Sequence, residues 1–197
     1  MVQIGDSMGP EGTSIIGTVG AFGIARGGKI VVLTAWHVAR SGGKFFSPSP
    51  ALGSGQLIGQ LHSLNRMHVD AAAIWYEPED APVNVRPGGG RCSGARQLRP
   101  ERDDGIPVFL HGATSKSQSG NIVRGAADGE RWRLLSPVLA LIPTAEGDSG
   151  AGLFDSDDRV VGLLAGRAMW YGLSVAVFSP IQLVLAQLNC TLLTKEA

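Results

Sequence analysis

Ile30-Val31-Val32-Leu33-Thr34-Ala35-Trp36-His37-Val38 is a run of apolar, β-branched residues that ends on a histidine. Residues 30–33 are strongly β-prone, and Gly27-Gly28 just before them is a two-residue hairpin signal. The Gly-interrupted apolar stretch 14–25 is then the partner strand, and His37 stands just past the end of the return strand. A histidine in that place is ordinary by itself. Its meaning comes from two other segments, His68-Val69-Asp70-Ala71-Ala72-Ala73-Ile74 and Gly147-Asp148-Ser149-Gly150-Ala151-Gly152-Leu153.

A serine hydroxyl is a weak nucleophile at neutral pH. It needs a base within hydrogen-bond reach, and the base needs a third group that fixes its tautomer. The three segments supply these types in the order His37, Asp70, Ser149, each beside a strand-like run. Gly147 and Gly150 flank the serine, as a tight turn that presents backbone N–H groups requires. Gly5-Asp6-Ser7 repeats the tripeptide, but Met8 follows it and no barrel strand precedes it. His62, His68 and His111 with Cys92 or Cys190 match no zinc spacing, and no phosphate-binding loop is present.

The three segments together resemble the chymotrypsin-like serine peptidases of compact bacterial or viral type. That family shows T-A-x-H, then D-x-A-[LIV], then G-D-S-G. His111-Gly112-Ala113-Thr114-Ser115 through Gly120-Asn121-Ile122-Val123 is similar to the hairpin before its nucleophile. The resemblance spans roughly residues 14–190 and implies an all-β protein of two six-stranded antiparallel β-barrels with a C-terminal α-helix. It implies a serine endopeptidase working through an acyl-enzyme, with Ser149 as nucleophile, His37 as base and Asp70 orienting the base. It further implies an oxyanion hole from the N–H groups of Gly147 and Ser149, and a substrate pocket from Pro143 and Thr144 facing Leu164, Ala165 and Gly166. Asp148 would brace the oxyanion loop, with a partner the sequence does not name. Ala165 departs from the pattern, because many members carry there a serine that bonds the triad acid; Asp70 must find other donors.

The rest of the chain fits this reading. Of 197 residues, 44% are hydrophobic and 17% charged, as in a globular chain, and 28 glycines suit a turn-rich β protein. The expected units are residues 13–80 with His37 and Asp70, a Pro/Gly-rich linker over 81–105, and 106–197 with Ser149 and the helix. In the first unit, residues 41–59 read as loop. In the second, strands are expected at 108–110, 121–124, 131–135, 138–142, 151–154, 160–164 and 173–178. Ile181, Leu183, Val184, Leu185, Leu188 and Leu192 after Pro180 read as one amphipathic helix.

Lys+Arg and Asp+Glu balance at 17 each, so charge gives no reason to expect nucleic acid or a membrane, and a protein or peptide is the expected partner. Arg86, Arg91, Arg96, Arg99 and Arg102 in the linker read as a solvated stretch. No metal or organic cofactor is expected. Two cysteines make no disulfide framework, and free thiols are expected. With no signal-like segment and no long apolar run, a cytoplasmic or excised domain is expected. Two alternatives stand beside the peptidase: a domain that cuts its own polyprotein, and a catalytically silent binding module on the same fold.

Overall fold

The computed structural model describes residues 1–125, 127 and 133–194. Its first half is built from β1 (Ser7–Pro10), β2 (Gly17–Thr18), β3 (Ala21–Ala25), β4 (Ile30–Thr34), a one-turn helix α1 (Trp36–Ala39), β5 (Lys44–Ser47), β6 (Gln56–Asn65) and β7 (Ala71–Trp75). A short β8 (Gly94–Ala95) lies in the connector. The second half holds β9 (Pro107–Gly112), β10 (Lys116–Arg124), β11 (Val138–Leu141), β12 (Gly152–Phe154), β13 (Arg159–Trp170) and β14 (Leu173–Pro180). The chain ends in helix α2 (Ile181–Leu188) and β15 (Cys190–Leu192).

The first half forms a curled eight-stranded sheet in the order β15-β3-β4-β7-β6-β5-β1-β2, which includes the C-terminal strand. In the second, β9, β10, β11, β14, β13 and β12 follow one another, and β12 pairs with both β9 and β13, so this sheet closes into a six-stranded barrel. The first core gathers Phe22, Val32, Leu33, Phe45, Ile58 and Ile74, and the apolar face of α2 (Ile181, Val184, Leu188) seals it. The barrel core is Val108, Leu110, Val138, Leu153, Leu164 and Phe178. Alternation along β9, buried at Val108, Leu110 and Gly112, is the period-two pattern of a strand with one face inside.

Several expectations need correcting. Residues 41–59, read as loop, contain β5 and the start of β6. The glycines and Ser-Pro pairs there flank a strand rather than replace it, because β1 and β6 supply its ladder on both sides. The stretch 14–25 is two strands, β2 and β3, not one. The terminal helix stops at Leu188, where Asn189 takes a left-handed conformation, and Leu192 belongs to a strand pairing with β3. The strand expected over 131–135 lies partly outside the described residues, and 133–135 form no strand. Among the described residues no helix is long and apolar enough to cross a membrane.

The linker arginines are a solvated stretch only in part: Arg91, Arg99 and Arg102 are exposed, whereas Arg96 is half-buried and Arg86 buried. Arg86 is largely buried and pairs with Asp158 at 2.8 Å. Arg96 bridges Asp155 at 2.9 Å and Asp103 at 3.3 Å, and Arg99 reaches Asp103 at 3.1 Å. Burial opposes ionisation of Asp155, but bonds from the Arg159 N–H and from the Arg96 and Arg159 guanidinia outweigh it and lower its pKa. The pairs to Asp158 and Asp155 fix the connector to the barrel, and those to Asp103 are internal to it. Cys92 and Cys190 are free thiols; burial raises both, Cys190 to about 11, so both stay protonated at neutral pH.

Asp103 gives a test. Bonds from the Arg99 guanidinium and the Arg99 N–H hold its pKa down, from 3.8 to about 2. A carboxylate with a depressed folded pKa stabilises the protein above its unfolded pKa, and that contribution is lost as pH falls through the folded value. Asp103→Asn is expected to lower the melting temperature at pH 7, with the gap to the parent protein closing between about pH 4 and pH 2. A gap unchanged in thermal melts across that window would contradict it.

Candidate active site

Strand register brings two of the three candidate residues together. β4 and β7 run antiparallel with Thr34 opposite Ala72. The residues just past Thr34 and just before Ala71 therefore meet at one edge of the sheet. There the single turn of α1 aims His37, and Asp70 faces it. His37 Nδ1 lies 2.6 Å from Asp70 Oδ2, and the His37 backbone N–H donates to Asp70 Oδ1 at 3.1 Å. A carboxylate only accepts, so neutral His37 carries its proton on Nδ1 and leaves Nε2 with a free lone pair. The Asp70 side chain is 16% exposed and that of His37 35%, so the acid is covered while the base is open to solvent. Ala165 gives Asp70 no hydroxyl; the His37 N–H serves as the extra donor, and the Asp70 N–H donates to the buried Ser179 hydroxyl at 2.9 Å.

Ser149 stands on the turn before β12. That turn is held from below by Asp148, which is fully buried. Asp148 Oδ1 accepts from the N–H groups of Thr114 and Ser115 at 2.9 and 3.0 Å, and Oδ2 accepts from the Ala145 N–H at 2.7 Å. The partner that the sequence does not name is thus a set of three backbone amides, with no chain terminus among them. The β9–β10 hairpin has its function here: Thr114 and Ser115 cap the carboxylate, and a side chain at Gly112 would collide with it. Gly147 has φ +96°, and a Cβ there would strike Thr114. Among the described residues the N–H groups of Gly147 and Ser149 make no hydrogen bond. The Ser149 hydroxyl is half-buried and has no bond to His37 among the described residues; such bonds are often long without substrate.

Thr18, which the motifs do not reveal, ties the two halves together. Its N–H donates to the Ser149 carbonyl at 2.8 Å, and its hydroxyl donates to the Gly147 carbonyl at 2.9 Å. The same hydroxyl accepts from the Ala113 N–H at 3.0 Å, while the Thr18 carbonyl accepts from the Thr34 hydroxyl at 2.9 Å. One buried residue therefore connects the serine turn, the hairpin behind it and the strand that leads into His37.

Beside His37 and Asp70 lies a cavity of about 290 Å³, walled by Trp36, Arg66, Arg133, Leu134, Ala165, Gly166, Arg167 and Val177. Ala165 and Gly166 thus face it. Pro143, Thr144 and Leu164 lie outside its walls: Pro143 is exposed, the Thr144 carbonyl accepts from Arg167, and Leu164 sits in the barrel core. Among the described residues no group of three His, Cys, Asp or Glu could hold a metal ion.

The sequence matches no family model and no curated protein. Solved structures do match. Thermobifida fusca Protease A superposes with a TM-score of 0.74 at 19% identity, covering 98% of each chain. A glutamic acid-specific serine protease that uses a histidine triad in substrate binding gives 0.78 at 20% identity, covering 98% of this chain and all of the other. Nocardiopsis protease gives 0.73 at 19% identity, over 98% and 100%. The chain has the chymotrypsin-like fold. In that fold the edge carrying His37 and Asp70 and the turn carrying Ser149 come from different halves, as they do here.

Thr18→Val keeps the volume but leaves the Ala113 N–H without its acceptor and the Gly147 carbonyl without its donor. Urea melts are expected to show a loss of about 2–4 kcal/mol, since each buried unmade bond costs about 1–3 kcal/mol. Thr18→Ser is expected to restore most of it. A Val variant as stable as the parent would contradict the role given to the hydroxyl.

Proposed function

We propose that the protein is a serine endopeptidase that hydrolyses peptide bonds through an acyl-enzyme. Ser149 attacks the scissile carbonyl, and His37 Nε2 takes its proton and then delivers it to the leaving amine. Asp70 holds the imidazole in the Nδ1–H tautomer and stabilises the imidazolium that forms. The Gly147 and Ser149 N–H groups receive the oxyanion. The observation that carries this reading is the 2.6 Å His37–Asp70 bond together with a serine turn whose Gly147 and Ser149 N–H groups are unengaged among the described residues. Matched folds carrying serine proteases support it.

We further propose that the residue preceding the cut is apolar or small. Pro143, Thr144 and Ala145 on one side and Ala165 and Gly166 on the other offer no carboxylate to a basic side chain, and the Leu164 side chain is turned into the barrel core. Burying an unpaired ammonium there would cost several kcal/mol, while burying Leu or Phe gains about 1.5–3.

Ser149→Ala and His37→Ala are each expected to reduce kcat by about 10⁶, and Asp70→Asn by about 10⁴ through the wrong tautomer. Peptides differing only before the scissile bond should be cut faster after Leu or Phe than after Lys or Arg. A preference for Arg or Lys of about tenfold would overturn the pocket assignment.

A further inference from the structure

Three arginines far apart in sequence, Arg66, Arg133 and Arg167, face the cavity beside His37 and Asp70. Among the described residues none of them pairs with a carboxylate. Arg86, Arg96, Arg99, Arg124 and Arg159 each have an aspartate or glutamate partner; Arg26, Arg40, Arg91 and Arg102 have none among the described residues, but they lie outside this cavity. The one acid in the cavity wall, Asp70, is engaged by His37 through both its oxygens.

The arginines are carried on ordered backbone. Arg66 sits on a turn that the Asn65 side chain shapes, accepting from the N–H groups of Met67 and His68 at 3.0 and 3.3 Å, and its guanidinium stacks over Trp36 at 4.8 Å. The facing loop with Arg133 docks onto the same turn, because the Leu135 N–H donates to the His68 carbonyl at 2.8 Å. Arg167 extends from β13 and donates to the Thr144 carbonyl at 3.3 Å. The cavity is thus a cleft between two loops with a strand for its floor. Its guanidinium groups have donors to spare.

We propose that this cleft selects substrates with an acidic side chain ahead of the residue that precedes the cut. The proposal rests on the peptidase reading for its place in the substrate. A chain whose residue before the cut lies against residues 164–166 passes Arg167, then Arg66 and Arg133, with the residues before that one. Guanidinium groups bind carboxylates through paired, charge-assisted bonds, and a partly enclosed site weakens them less than open water does. At about 290 Å³ the cleft stands at the lower end of ligand-site sizes, roughly 300–1,000 Å³, which suits side chains rather than a nucleic-acid strand.

The test separates the cleft from catalysis. Ser149→Ala protein is titrated with a hexapeptide carrying Glu at the second, third and fourth positions before a Leu-Ala bond, and with its Gln twin. The Glu peptide is expected to bind about tenfold or more tightly at low salt, with the advantage shrinking as salt rises. Arg66→Gln and Arg167→Gln, each at an exposed residue, should each cut the advantage several-fold in the same background. Equal affinity for the twins, an advantage that survives both substitutions, or an oligonucleotide that outcompetes the Glu peptide would overturn the proposal. Failure of the peptidase reading shows differently: protein with Ser149 intact would bind the Glu peptide without cutting it.

Discussion

The buried Thr18 side chain and its peptide group bear the constraint on which the site depends. A chymotrypsin-like fold divides its chemistry between two sheets, and neither sheet alone fixes where a serine from one stands relative to a histidine from the other. Here Thr18 bonds the carbonyls on both sides of Asp148 and at the same time receives the hydroxyl of Thr34, three residues before His37. Asp148 works from the opposite side, drawing three amides onto one carboxylate and closing the turn from within. Among the described residues, three backbone amides, the Thr18 hydroxyl and the Thr18 N–H hold the turn.

The connector illustrates the same economy. A stretch rich in proline and glycine would lie loosely on the barrel, yet Arg86 and Arg96 pin it to Asp158 and Asp155, and Arg96 and Arg99 hold Asp103 within the connector itself. Removing one partner of such a pair strands a buried charge, which is why these pairs are felt more in their absence than in their formation. The arginines at the cleft differ from these in meeting no carboxylate among the described residues while facing one cavity together.

What the sequence makes legible is local. His37 is readable because strand, alanine and histidine are contiguous, and Ser149 because the glycines that free its turn stand beside it. The Gly112-to-Ser115 segment is visible as a hairpin, and its purpose, making room for and capping Asp148, emerges only when both are in contact. Thr18 carries no signal, since a threonine in a strand is commonplace and its bonds reach residues 16 to 131 positions away. Arg86 and Arg96 look solvated because Asp158 and Asp155 lie 72 and 59 positions along the chain; Arg66, Arg133 and Arg167 look unrelated because they too are far apart in sequence. Strand β5 escapes reading because flanking Gly and Pro outweigh a four-residue run whose ladder comes from distant neighbours.

The central claim is that Ser149, activated by His37, is a nucleophile. Treating the protein with a fluorophosphonate and mapping the adduct by mass spectrometry tests it most directly. The account predicts one phosphonyl group, on Ser149, formed in the parent protein and lost in His37→Ala. No adduct on the folded parent protein, or an adduct on Ser7 or another serine with Ser149 unmodified, would contradict it.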